Sequence, residues 1–427
     1  MLSLKFIREN KQKIVERLAI KNFGAKKIIE NILEIDDKRR STQKDLDDKQ
    51  AEINIISKEV GNFFKLGKID EADTTKQKTT ELKESIKVVS QNLKEIEHSI
   101  IDLLVQVPNI PHELVPKGKA EKDNVLVRSG GQIPVLPEGA VPHWDLARKY
   151  DIIDFELGNK LTGAGFPVYK NKGAKLQRAL INFFLDEAIK AGYQEVIPPL
   201  MVNEDSGFGT GQLPDKEGQM YHIPSDNYYL IPTAEVPVTN MYRNVILSAE
   251  DLPAKITAYT PCFRREAGSW GKDVRGLNRL HQFDKVEIVQ IQHPDRSYET
   301  LEKMNRHVES LIQKLDLPYR IQILCGGDIS FTASLTYDFE VFAAAQTKWL
   351  EVSSVSNFES FQANRLKLRF KEKGVKKTRL AHTLNGSALA LPRIMAALLE
   401  NNQTPGGIKI PKVLLDYTGF PLISACT

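Results

Sequence analysis

Residues 28–103 repeat their apolar side chains in steps of four and three, and no other feature constrains the chain's folding as tightly. The first run is Ile28, Ile32, Ile35, the polar Arg39 and Thr42, then Leu46, Lys49, Ile53, Ile56, Val60 and Phe63. The second is Leu82, Ile86, Val89, Leu93, Ile96, Ile100 and Leu103. A seam with that period winds one helix around another. Between the runs, residues 61–73 contain Gly67 and several polar residues and read as a reversal. The two runs therefore predict one antiparallel helical hairpin, and arms of roughly 36 residues would reach about 54 Å. Polar seam positions weaken its middle and pin its register. Spacing specifies a partner helix and not a ligand, so by itself it fits a solvated coiled coil used for dimerisation or spacing.

The sequence has no proline before Pro108, where Val107-Pro108-Asn109-Ile110-Pro111 ends the helical stretch. This divides the chain into an N-terminal helical domain, residues 1–106 with a coiled coil over about 28–103, and a second domain, 107–427. In the second, strands are expected at Tyr228–Ile231, Lys255–Pro261, Asp284–Gln292, Tyr319–Leu324 and Lys348–Val355. Helices are expected at Lys175–Ala191, Arg296–Leu315 and Ala388–Asn401. Several strands follow one another without a helix between them. That pattern predicts an α+β domain, an antiparallel-rich sheet with flanking helices, and not a regular parallel α/β fold. A net charge of +4 permits a nucleic-acid partner without arguing for one. The cysteines Cys262, Cys325 and Cys426 are too few and too scattered for a disulfide framework or a zinc site, which suits a reducing, cytosolic setting. No apolar run has signal-peptide or membrane-spanning length, so no membrane partner is expected.

The common phosphate-loop, dinucleotide and zinc-protease signatures are absent. Any ATP site must be built another way, for example from arginines and a carboxylate-held metal. The informative stretch is Cys262-Phe263-Arg264-Arg265-Glu266-Ala267-Gly268, a Gly-containing loop from Ser269 to Leu280, then His281-Gln282-Phe283-Asp284-Lys285-Val286-Glu287. It reads as strand, loop, strand. A guanidinium matches a phosphate with paired hydrogen bonds. A carboxylate two residues on would share its strand face. As a bare tripeptide, Arg-Arg-Glu reads better as a surface ion-pair cluster.

As a whole, this stretch resembles motif 2 of the class II aminoacyl-tRNA synthetases, in the form found in seryl-tRNA synthetases. Ala179–Val202, with Gly192-Tyr193-Gln194-Glu195-Val196-Ile197-Pro198-Pro199, resembles motif 1, which builds that family's dimer interface. Leu384-Asn385-Gly386-Ser387-Ala388-Leu389-Ala390-Leu391-Pro392-Arg393 resembles motif 3. The class usually has more glycines there and an acidic residue before its arginine; here Ala388, Ala390 and Pro392 stand at those places. Pro392 belongs near a helix start. The N-terminal hairpin resembles the arm with which this family grips serine tRNA.

The resemblance implies an α+β fold: the antiparallel sheet of a class II synthetase catalytic domain, with an N-terminal coiled-coil arm. It implies that Arg264 contacts the ATP α-phosphate and the serine carboxylate, with Arg265 beside it in the ATP site. Glu266 would hold the adenine amino group and Phe283 would stack on the adenine. Thr233, Ala234, Glu235, Glu287 and Ser387 would line the serine pocket. Glu351-Val352-Ser353-Ser354 would hold ATP, with Glu351 and Ser354 as Mg2+ ligands, and Arg393 would bind the γ-phosphate. The loop from Ser269 to Arg279 would face the acceptor end of the tRNA. Taken singly these residues have other readings. Thr233 and Glu235 could open a helix, Phe283 could be plain core, Ser387 could be a packing residue, and Glu351 could be an ordinary strand carboxylate.

The activity implied is that of a cytoplasmic, homodimeric ligase. It activates L-serine with ATP and passes it to the 3′ end of tRNA(Ser), and to tRNA(Sec) where the host has one. Two alternatives remain at this stage: a ligase that loads an amino acid onto a carrier protein, and an inactive synthetase-like interaction protein.

Overall fold

The computed structural model describes residues 1–215, 218–266 and 275–424. It divides into two compact units, residues 1–19 with 23–108, and residues 20–22 with 109–427.

The first unit opens with helices α1 (Leu4–Glu9) and α2 (Lys11–Leu18), followed by the long α3 (Lys26–Lys65) and α4 (Ile69–Leu104). At 40 residues α3 is about 60 Å long. The expected reversal is only the three residues between α3 and α4, where Gly67 has φ +70°, a conformation cheap for glycine alone. The predicted seam faces inward: Ile32, Ile53, Leu93 and Ile100 are buried, and Arg39, Thr42, Leu46 and Lys49 are half-buried. α4 begins well before Leu82, the first seam residue expected of it. Ala72, Thr75 and Thr79 extend the same steps of three and four, but small and hydroxyl side chains hid the pattern. At the base, Ile29 and Asp36 are buried beside the seam, on the side where α1 and α2 pack. Asp36 is fully buried there, paired with Arg8 and with Arg39 Nε at 3.0 Å.

The second unit is built on an eight-stranded sheet. In chain order its strands are β1 (Val125–Gly130), β2 (Gln194–Glu195), β3 (Ala254–Phe263), β4 (Gln282–Gln292), β5 (Tyr319–Ile323), β6 (Leu335–Ala343), β7 (Lys348–Glu359) and β8 (His382–Ala390). Their spatial order is β1-β5-β6-β7-β8-β4-β3-β2, and every pairing except β2 with β3 is antiparallel. The helices used below are α5 (His143–Lys149), α6 (Asn171–Lys190), α7 (Glu235–Asn240), α8 (Ser297–Lys314) and α9 (Leu391–Asn401). Each expected strand and helix is present within a few residues of its bounds, with one correction. The segment from Ala388 is the end of β8, and the helix starts only at Leu391, with Pro392 in its first turn. The β-conformation of Ala388–Ala390 follows from pairing with β4, which short-range pattern does not reveal.

α6, α8 and α9 bury Leu180, Phe184, Met304, Val308 and Met395 against Val286, Ile288, Ile321 and Phe339 of the sheet, forming the main core. A second cluster, with Val238, Ile256, Val289, Ile291, Leu366 and Phe370, lies elsewhere in the unit. Among the described residues no helix is long and apolar enough to cross a membrane.

Candidate active site

Strand β4 carries the centre of the site. With a period of two, Phe283, Lys285, Glu287, Val289 and Ile291 share one face, and Val286 and Ile288 the other. The second face enters the main core. The first is split: Val289 and Ile291 join the second apolar cluster, whereas Lys285 and Glu287 are buried among polar groups. Glu287 stands directly across the ladder from Ser387 on β8 and from Ala258 on β3, two small residues that leave room above the sheet.

Glu287 Oε2 accepts hydrogen bonds from Lys285 Nζ at 2.5 Å and from Thr233 Oγ1 at 3.0 Å. Lys285 Nζ also donates to Thr233 Oγ1 at 2.8 Å. Thr233 Oγ1 accepts in addition from Glu235 N at 3.2 Å. Glu235 begins α7, as the helix-opening reading expected, while Thr233 bonds to Glu287. Ala234 packs its methyl into the second apolar cluster, so only its backbone can meet a ligand. Burial, and next the Glu287 carboxylate, push Glu235 up to about 7, against the pull of Gln362, Lys285 and Asn385. Gln362 Nε2 donates to Glu235 Oε1 at 2.6 Å. Lys285 and Gln362 were not expected here. Lys285 was legible as the residue between Phe283 and Glu287 on one strand face; nothing in the sequence marked Gln362.

Arg264 and Glu266 depart from the expected shared strand face. β3 ends at Phe263, and although Arg264 N still donates to His281 O at 2.9 Å, Glu266 has φ +48° and leaves the strand. Strand alternation therefore fails at Glu266. Its carboxylate accepts from Arg279 Nη1 at 3.0 Å. The Arg264 guanidinium lies 5.2 Å over the Phe283 ring, and Arg265 is exposed, its N–H bonded to Gln219 O. Residues 267–274, the greater part of the expected tRNA-facing loop, lie outside the described residues, as does Cys426; the described Cys262 and Cys325 are buried and free.

At the far side of β8 lie the remaining expected groups. Glu351 and Ser354 are three apart, which on a regular strand would place them on opposite faces. The β6–β7 register shifts at this point, with Phe339 opposite Ser353 and Glu340 opposite Glu351, so Val352 is an extra residue. That bulge returns Glu351 and Ser354 to one face. Val352 itself enters the main core, and Ser353 donates to Ser387 O at 2.5 Å. Ser354 Oγ donates to Asp338 Oδ1 at 2.5 Å and lies 3.5 Å from Glu351 Oε1. Burial, and then the Glu351 carboxylate, push Asp338 well above the ordinary carboxylate range. Two carboxylates and a hydroxyl, all hard oxygen donors with repulsion that a cation would relieve, fit Mg2+. Arg393, in the first turn of α9, donates from Nη1 to Glu351 O at 2.8 Å and from Nε to Asn278 O at 2.9 Å.

Comparison with known proteins gives this arrangement a class. A family model described as the tRNA synthetase class II core domain (G, H, P, S and T) matches residues 221–402, which span β3–β8. The second unit is thus built around the core of a class II aminoacyl-tRNA synthetase. A second model, the seryl-tRNA synthetase N-terminal domain, matches residues 1–111. The serine–tRNA ligase of Salinibacter ruber is 50% identical over 100% of both chains, and that of a Hydrogenobaculum strain is 47% identical over 98% of this chain and 99% of its own. Among solved structures, the seryl-tRNA synthetase of Pyrococcus horikoshii complexed with ATP superposes with a TM-score of 0.90 at 37% identity, covering all of both chains. The cytoplasmic enzyme of Naegleria fowleri in complex with AMP superposes at 0.86 with 26% identity, covering 100% of this chain and 99% of that one. The chain belongs to the seryl-tRNA synthetase family.

Proposed function

We propose that this chain activates L-serine with ATP and transfers it to the 3′ end of tRNA(Ser). The observation that carries the reading is the buried Glu287–Thr233–Lys285 cluster opposite Ser387, flanked by Arg264, just past β3, with Phe283 of β4, and by Glu351 and Ser354 of β7 with Arg393 of α9. A site that hydrogen-bonds a hydroxyl rejects alanine and glycine strongly, because they would strand buried polar groups. Glu287 and Thr233 are that site for serine. Threonine is excluded by lack of room for its methyl.

In the first step the serine carboxylate attacks the α-phosphorus of ATP and pyrophosphate leaves. Charge gathers on phosphoryl oxygens, so positioning and electrostatics supply the catalysis and no side chain acts as nucleophile. Arg264 reaches the α-phosphate and the serine carboxylate, Arg265 and Glu266 border the nucleotide, and Phe283 offers the adenine a flat face. Arg393 meets the γ-phosphate. Glu351 and Ser354 would hold Mg2+, which when bound neutralises phosphate charge. In the second step the terminal ribose hydroxyl of the tRNA attacks the seryl carbonyl and AMP leaves.

The α3–α4 hairpin grips the long arm of tRNA(Ser) by shape and backbone contacts; tRNA(Sec) is served equally where a host has it. The assembly is a homodimer through motif 1, which is consistent with the exposed apolar side chains of Ile189, Ile197, Leu200 and Met201 around β2. The two buried free thiols suit a reducing cytoplasm. The test is amino-acid-dependent ATP–pyrophosphate exchange across all twenty amino acids, with and without tRNA. Exchange with serine alone and serine captured on RNA is expected. Exchange with a different amino acid would redirect the reading to another ligase, and none from a folded protein would indicate an inactive scaffold.

A further inference from the structure

We propose that His143, Gln346 and Glu400 form a buried clamp that positions Arg393 through the carbonyl of Asn278; this rests on the reading of Arg393 as a ligand of ATP. Glu400 is the penultimate residue of α9 and is fully buried. Its Oε1 accepts from His143 N at 3.0 Å, His143 Nδ1 at 2.8 Å and Gln346 Nε2 at 2.8 Å. Its Oε2 accepts from Ala345 N and Gln346 N, each at 3.1 Å. A carboxylate can only accept, so Nδ1 of His143 carries the proton and Nε2 is left as an acceptor. Nε2 takes the Leu277 N–H at 2.9 Å.

The stem that returns from the loop after β3 is thereby tied down residue by residue. The Arg275 guanidinium lies 4.7 Å over the ring of Trp144. Gly276 has φ +67°, and a Cβ there would come within 2.3 Å of His143 Nε2, so only glycine lets the stem approach the imidazole. Asn278 Nδ2 donates to Gln346 Oε1 at 2.9 Å. The Asn278 carbonyl then accepts from Arg393 Nε, opposite the second anchor of that guanidinium at Glu351 O. Two fixed carbonyls set the plane of the guanidinium; one leaves it free to swing. A packing role alone would be served by apolar residues, since burying a carboxylate is expensive unless every lone pair is met. Two of the five donors, His143 Nδ1 and Gln346 Nε2, belong to side chains whose other polar atoms hold the stem at Leu277 N and Asn278 Nδ2, which is what a positioning device requires.

The experiment is ATP–pyrophosphate exchange on the full chain, varying ATP and serine separately, for Gln346→Ala, His143→Leu, His143→Gln and Arg393→Ala. Gln346→Ala and His143→Leu should each raise KM for ATP about tenfold, the worth of one hydrogen bond to a charged group, and leave KM for serine within about twofold. His143→Gln, which keeps an acceptor for Leu277 N–H, should recover most of the loss. Adding Gln346→Ala to Arg393→Ala should cost little more than Arg393→Ala alone. An unchanged KM for ATP, an equal rise for both substrates, or additive losses in the double variant would overturn the proposal. If Arg393→Ala itself leaves KM for ATP untouched, the premise about Arg393 fails, a result distinct from failure of the clamp. Gln346 is half-buried, so its variant decides the matter even if a His143 variant does not fold.

Discussion

Glu287→Gln isolates the charge at the centre of the proposed serine pocket. The side chain keeps its shape, but one oxygen that accepts from both Lys285 and Thr233 loses its negative charge. Two consequences oppose each other. Neutralising one member of a buried ion pair costs up to about 3–5 kcal/mol of stability. In the variant, however, Glu235 no longer faces the carboxylate that helps hold it at about 7, so it ionises more readily and supplies Lys285 with a replacement anion. The stability loss should therefore fall well short of that upper range, and the fold should survive. Binding has no such rescue, because Glu235 sits at the start of α7 and cannot take Glu287's position on β4. A charge-assisted hydrogen bond to substrate is worth about 1.5–3 kcal/mol, and so kcat/KM for serine should fall roughly 10- to 150-fold. KM for ATP should hardly move. The assay is serine-dependent pyrophosphate exchange, with a thermal melt to confirm folding. A folded variant whose kcat/KM for serine stays within about twofold of the parent would refute the reasoning and remove Glu287 from the pocket.

Three further outcomes follow from the same geometry. Glu235 holds its proton in the folded chain up to about pH 7 but releases it near 4.5 when unfolded, so stability present below the lower value is lost as pH rises through the upper one. Glu235→Gln should flatten that part of the profile, read as urea midpoints on either side of about pH 7; an unchanged slope would contradict it. Glu351→Gln should raise the Mg2+ concentration for half-maximal exchange by about tenfold or more, and an identical Mg2+ titration would exclude Glu351 as a ligand. Deleting residues 30–96, most of α3 and α4, should abolish transfer of serine to tRNA and leave pyrophosphate exchange intact, and full charging by the shortened chain would count against the arm.

Much of this is legible in the sequence alone. The hairpin was legible because a seam of period 3.5 can be satisfied only by a partner helix. The start of its second helix at Ile69 was not, because Ala72, Thr75 and Thr79 lie on the seam as small or hydroxyl side chains. Strands β4 and β7 were legible from β-branched and aromatic runs. The end of β8 reads as helix because Ser387-Ala388-Leu389-Ala390 favours helix locally and is held extended by β4. Arg264 and Glu266 were expected to share a strand face, but the strand ends at Phe263, before either residue, and Glu266 turns out of it.

By itself the sequence determined which chemistry is present: a long two-helix arm, a strand with Lys285 and Glu287 on one face, and arginines and carboxylates where other nucleotide-binding proteins place a glycine loop. Those properties depend on residues a few positions apart, and short-range periodicity reports them. Tertiary structure alone decided that Ser387 stands opposite Glu287, and that a bulge at Val352 turns Glu351 and Ser354 to one face. It alone raised the Glu235 pKa, first by burying the carboxyl and then by bringing the Glu287 carboxylate to it, and led Glu400 by way of Gln346 and Asn278 to Arg393. Those relations join residues up to more than a hundred positions apart through strand register and burial, and neither is written in local spacing.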